Sequence, residues 1–117
     1  QMNIKEIGEE LKKTSKLCRE LKIDKKEFFG GSMTISSLGG IGGTFFTPII
    51  NPPEVAILGV GKSFDRLKKI NSKIVSKKIL PISLSYDHRI IDGAEGAKFC
   101  VYLGKCLGKD FAFKLAI

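Results

Sequence analysis

One histidine, His88, stands between two acids in the run Asp87-His88-Arg89-Ile90-Ile91-Asp92-Gly93, and it is the chain's only histidine. Imidazole is the side chain whose ordinary pKa lets it both take and give a proton near neutrality, so general acid–base chemistry is the first candidate. A lone histidine is more often a surface or satisfied core residue. Its surroundings argue for more here. Residues 79–86, Ile-Leu-Pro-Ile-Ser-Leu-Ser-Tyr, alternate apolar and small polar side chains at the strand period. After Asp92-Gly93, the residues Ala97, Cys100 or Val101, Gly104 and Leu107 recur at helical spacing. A histidine between a strand end and a helix start is held by both and open to a cleft.

Other chemistry-bearing patterns are weaker. The glycine cluster Leu38-Gly39-Gly40-Ile41-Gly42-Gly43-Thr44 begins a dinucleotide fingerprint, but Phe45 stands where the third glycine is required. Gly61-Lys62-Ser63 has the closing letters of a triphosphate loop, yet Ala56 occupies the position of its first glycine. A turn that lets backbone pack closely is therefore expected at 39–43 in preference to an anion site. Cys18, Cys100 and Cys106 are odd in number and lack metal-ligand spacing, which suits buried or incidental thiols in a reducing cytosol.

Several elements must position these residues. Asn3 and Glu6 form a capping-box pattern ahead of an apolar stripe at Ile4, Ile7, Leu11, Cys18 and Leu21. Asp24 with Glu27 repeats the cap signal for a short turn that ends at Phe28-Phe29 and the Gly30-Gly31 break. Met33 and Ile35 alternate with Ser32, Thr34 and Ser36, a strand with one apolar and one hydroxyl face. Val55 through Val60 is apolar on both faces, as a strand in the middle of a sheet would be. Residues 64–69 and 73–79 flank Asn71-Ser72 and read as a hairpin. Pro81 must sit at an edge, an irregularity or a strand's first residues.

Composition narrows the class. Of the 117 residues, 43% are hydrophobic and 27% charged, which describes a soluble globular chain. No apolar run approaches the ~18–20 residues of a membrane span. The net charge of +8 comes from lysines spread between Lys5 and Lys114, with Arg19, Arg66 and Arg89 the only arginines. Readers of bases lean on arginine and interleaved aromatics, so solvated faces are the better reading and no nucleic-acid partner is expected.

The run Asp87–Gly93 resembles the active-site motif of the dihydrolipoamide acyltransferases, the core subunits of the 2-oxo acid dehydrogenase complexes: Asp-His-Arg, two residues, Asp-Gly. Residues 30–38 resemble that family's strand bearing an oxyanion-stabilising hydroxyl, and residues 47–62 its next loop and buried strand. Residues 36–62 look most like the bacterial pyruvate-complex branch. The resemblance implies an α/β chain of chloramphenicol-acetyltransferase-like architecture, a mixed sheet with flanking helices. It makes residues 1–117 the C-terminal half of the catalytic domain, with lipoyl and subunit-binding domains absent.

What the resemblance implies for function is acyl transfer, acetyl for preference, from dihydrolipoamide to coenzyme A. His88 would be the general base on the coenzyme A thiol, Ser36 the oxyanion donor and Asp92 an orienting group. Asp87 and Arg89 would be ion-paired supports, and no metal would be needed. In the family the histidine and the hydroxyl come from neighbouring subunits of a homotrimer, and an arginine from the domain's first half pairs with the acid at the position of Asp92. Trimers assemble into a larger core with the other complex components, in the bacterial cytoplasm and away from the membrane. The tail Phe111–Ile117 suits such a contact or an ordinary core docking. Two other readings stand beside this one. The chain could be a non-catalytic scaffold piece, inactive unless joined to its N-terminal half, or an acyltransferase acting on a small amine or alcohol.

Overall fold

The computed structural model describes residues 1–108. Two compact units divide the described residues, one made of Gln1–Gly31 and the stretch from Gly104, the other of Ser32–Leu103.

In the first unit, helix α1 runs Ile4–Arg19. The Asn3 side chain accepts from the Glu6 amide at 3.0 Å, and the Glu6 carboxylate accepts from the Asn3 amide at 2.7 Å. Two of the helix's orphan N–H groups are thereby satisfied reciprocally. The expected stripe stops short, because Leu21 turns into the left-handed region at φ 54 and is 91% exposed. A 3-10 turn at Lys25–Phe28 is capped by Asp24, whose carboxylate accepts from the Lys26 amide.

The second unit holds the strands. β1 is Thr34–Ser37, β2 Ala56–Val60, β3 Phe64–Ile70, β4 Lys73–Ile79 and β5 Ile82–Tyr86, followed by helix α2 at Gly93–Cys106, whose residues from Gly104 on belong to the first unit. β2 is central, parallel to β1 and antiparallel to β5. Ala56, Ile57 and Leu58 form the buried apolar core, as a strand apolar on both faces requires. β3 and β4 pair as a separate antiparallel hairpin closed by Asn71 and Ser72, both at positive φ.

Two sequence expectations are corrected here. The strand expected over 79–86 is broken at Leu80-Pro81, leaving β4 to end at Ile79 and β5 to begin at Ile82. Pro81 has no N–H for a ladder, but its carbonyl accepts from the Gly61 amide at 3.0 Å. Helix α2 ends at Cys106, one residue before Leu107.

The glycine cluster is a turn that brings chain segments together. Lys62 N–H donates to the Gly43 carbonyl at 3.0 Å, and Leu38 N–H to that of Val60 at 3.0 Å. A Cβ on Gly61 would stand 2.1 Å from the Thr44 carbonyl oxygen, so only glycine permits this backbone approach.

Register assigns the faces of the three-stranded sheet. Ile35 aligns with Leu58 and Leu84, and Ala56 with Tyr86, giving one apolar face. Thr34, Ser36, Ile57, Gly59, Ser83 and Ser85 lie on the other, where Phe46 and Pro48 pack over Gly59. Met33, Ala56 and Leu84 line an apolar crevice of about 380 Å³ together with Gly96 and Phe99 of α2. Ile35, on edge strand β1, remains 68% exposed on that apolar face.

Candidate active site

Asp87 builds the turn that presents His88. Its carboxylate oxygen Oδ1 accepts from the Arg89 amide at 3.0 Å, an Asx turn, while its carbonyl accepts from the Ile90 and Ile91 amides at 3.0 and 2.9 Å. Its own amide donates to the Val55 carbonyl at 2.8 Å, fastening the turn to the chain entering β2. His88 is therefore lifted, exposed, at the apex of a turn held on both sides.

The expected Asp87–Arg89 pair is present. Arg89 Nη2 donates to Asp87 Oδ2 at 2.6 Å, and Nε to Oδ1 at 2.9 Å. Side-chain and then backbone hydrogen bonds from Arg89 hold the Asp87 carboxyl down at about 2, and the same pair raises the Arg89 guanidinium above its ordinary value. Arg89 itself lies along the surface, so the pair shapes the turn more than it stabilises the fold.

Asp92 serves as the first cap of α2. Its Oδ1 accepts from the Glu95 amide at 2.8 Å, and its carbonyl accepts from that of Gly96 at 3.1 Å. Cap logic makes this legible in the sequence, where Asp92 precedes the helical pattern with Glu95 three residues on.

A groove of about 600 Å³ opens beside His88, with Pro52, Pro53, Glu54 and Val55 along one wall and Tyr86 through Ile90 along the other. Its size falls within the range of small-molecule sites, about 300–1,000 Å³. Thr34 donates to the Glu54 carboxylate, bracing this wall against β1. Neither Glu54 nor Tyr86 was singled out as a site residue from sequence. Their signal is purely spatial, since Glu54 reaches the groove only because β2 pairs with β5.

Ser36 is not brought to His88. It aligns with Gly59 and Ser83, whereas Tyr86 aligns with Ala56, three rows or about 10 Å farther along the sheet. His88 lies beyond that row, and Ser36 stands on the sheet face opposite Tyr86. Cys100 and Cys106 lie on α2 as free thiols. Among the described residues no group of His, Cys, Asp or Glu is placed to hold a metal ion, and no helix is long and apolar enough to cross a membrane.

A family model described as the 2-oxoacid dehydrogenases acyltransferase catalytic domain matches residues 1–112. The chain belongs to this acyltransferase family. It is 50% identical over 106 residues to the dihydrolipoyllysine-residue acetyltransferase component of the pyruvate dehydrogenase complex of Cupriavidus necator, covering 91% of this chain and 19% of that protein. The corresponding Haemophilus influenzae component is 53% identical over 102 residues, covering 87% and 18%. The chain thus spans about a fifth of the length of these relatives.

Solved structures agree. The cubic core of a pyruvate dehydrogenase multienzyme complex superposes with a TM-score of 0.88 at 41% identity, covering 100% of this chain and 47% of that one. An Azotobacter vinelandii dihydrolipoamide acetyltransferase, investigated for the catalytic roles of a serine, a histidine and an asparagine, gives 0.87 at 42% identity, again covering 100% and 47%. The acyltransferase fold here is the chloramphenicol-acetyltransferase-like one of those cores, as the sequence resemblance implied.

Proposed function

We propose that this chain supplies the general base for acetyl transfer from S-acetyldihydrolipoamide to coenzyme A, within a cytoplasmic bacterial 2-oxo acid dehydrogenase complex. The observation that carries the reading is the Asp87 turn, which holds His88 exposed at the mouth of a groove in a member of this acyltransferase family. Neutral imidazole takes the proton of the coenzyme A thiol, and the resulting thiolate attacks the thioester carbonyl. The oxyanion of the tetrahedral intermediate then collapses, expelling the dihydrolipoamide thiolate, which recovers the proton from the imidazolium. Such base catalysis contributes about 10²–10⁴-fold.

Ser36 is the proposed oxyanion donor and Asp92 the orienting residue. In the Azotobacter protein the serine stands fifty-two residues before the histidine, and the asparagine four after it. Ser36, His88 and Asp92 have that same spacing, with aspartate in place of asparagine. Either side chain offers a carbonyl-type oxygen to the first N–H groups of α2, so the capping role survives the exchange.

The separation of Ser36 from His88 supports a site completed between chains, with the serine of one subunit meeting the histidine of its neighbour in a homotrimer. Coenzyme A and a lipoyl group carried on another domain are the corresponding substrates, with no metal involved. The same separation favours one competing reading, a scaffold piece with only half a site.

The deciding experiment is the rate of acetyl transfer from acetyl-dihydrolipoamide to coenzyme A by this chain, beside His88→Ala. A rate that falls by about 10²-fold or more in the variant supports the base assignment. Equal rates for the two chains would remove it.

A further inference from the structure

His88 does not project from its turn without lateral support. Its ring lies against that of Tyr86, with centroids 5.8 Å apart and planes tilted by 33°. Tyr86 is in turn confined. It is the last residue of β5, in register with buried Ala56, and its ring is pressed against Gly96 in the first turns of α2. A Cβ at 96 would stand 2.9 Å from Tyr86 Cε1, closer than real side chains approach, and 3.1 Å from Cζ, tighter than most contacts. Gly93 completes the enclosure. A Cβ there would sit 3.8 Å from Tyr86 Oη and 3.9 Å from His88 Nε2, an ordinary contact distance from both.

Glycine inside a helix costs about 1 kcal/mol relative to alanine, so a helical glycine calls for a reason. At Gly96 the reason is space, since the residue is buried and the ring of Tyr86 fills the volume its side chain would take. The height of Gly96 against β5 is fixed by Asp92, which caps the helix and whose carbonyl receives the Gly96 amide. A physical chain therefore runs from the cap through Gly96 and the tyrosine ring to the imidazole.

We propose that Tyr86 is a positioning residue for His88: held by Gly96, its ring sets the plane of the imidazole and hence the direction in which Nε2 meets the thiol. The kinetic consequence rests on the acyl-transfer reading above, whereas the geometric part does not. A base misplaced by about 1 Å loses as much as 10²-fold in rate.

Because His88 is the only histidine of the 117 residues, its ring protons can be followed in the full chain without competition. Tyr86→Leu removes the ring, and Gly96→Ala pushes it aside. Both are expected to shift the two carbon-bound imidazole proton resonances and to lower kcat by about 10–100-fold, with KM for coenzyme A within about twofold. Tyr86→Phe, which keeps the ring, should restore both readouts relative to Tyr86→Leu. Should Gly96→Ala fail to fold, Tyr86→Leu carries the test. Imidazole resonances that stay in place without the ring would overturn the proposal, as would a loss confined to KM. If the unaltered chain transfers no acetyl group in any assembly, the functional reading falls, and the imidazole's Overhauser contacts to Gly93, which loss of the ring current alone leaves unchanged, still decide whether Tyr86 positions His88.

Discussion

Asp87 shows how a single residue can shape a site by building the turn that carries the histidine. Its carboxylate holds the Arg89 amide and guanidinium, and its carbonyl closes the turn behind His88. These bonds favour the charged form, which brings its pKa to about 2 from the ordinary 3.8. A folded-state value below the unfolded one means the carboxylate's contribution is complete above about 3.8 and is lost as pH falls through about 2. The backbone amide resonance of Arg89, followed against pH, should therefore titrate with a midpoint near 2. A midpoint at the ordinary value would show that the turn forms without the carboxylate. Asp92 has the simpler task of capping. Asp92→Asn should leave stability within a few tenths of a kcal/mol, and Asp92→Ala should cost about 1 kcal/mol in denaturant unfolding.

At the scale of elements, the β3–β4 hairpin carries an identifiable local strain. Ile70 and Lys73 are paired around a two-residue loop in which Asn71 and Ser72 adopt φ 48 and 62. Two positive φ values define the turn whose twist matches the flanking strands, and glycine is preferred at its second position. Serine there holds a left-handed conformation that costs an L-residue roughly 1–2 kcal/mol. Ser72→Gly should thus raise hairpin stability by about 1 kcal/mol, read as slower hydrogen exchange of the β3 and β4 amides. Slower exchange in the serine chain would contradict this account. Gly61 is the opposite case, where the Thr44 carbonyl leaves no room for any side chain.

For the whole molecule, the decisive fact is that Ser36 lies three rows from Tyr86 and on the opposite face of the sheet, while His88 lies in the turn beyond Tyr86. If neighbouring chains complete the site, two damaged chains can repair one another. Equal amounts of His88→Ala and Ser36→Ala, mixed and reassembled, should recover about a quarter of wild-type activity, since a random half of each partner choice gives one intact interface in four. Each variant assembled alone should stay near its own low rate. Recovery no greater than the average of the two would place both groups within a single subunit. Uncovered apolar residues on the described strands, such as Ile35 at 68% exposure, are consistent with surfaces that gain cover on assembly.

The sequence by itself determined most of what depends on neighbours along the chain. The Asn3 capping box, the buried run of β2, the hairpin around Asn71-Ser72 and the acid-flanked histidine all rest on local spacing, turn chemistry and hydrophobic period. The family also came from sequence, because the motif around His88 and the blocks at 30–38 and 47–62 keep their order and spacing. Two local boundaries differ from the spacing, and what the sequence otherwise left open depends on which strands meet. Pro81 breaks the expected strand because it has no N–H for the ladder, while its carbonyl still accepts from Gly61. Leu21 leaves the expected stripe because the helix ends at Arg19. The tail at 111–117 lies outside the described residues. Only the tertiary structure set Tyr86 between Gly96 and His88, brought Glu54 to the groove and parted Ser36 from His88. Those relations follow from pairing register and from contacts across a sheet, which periodicity along one segment does not encode.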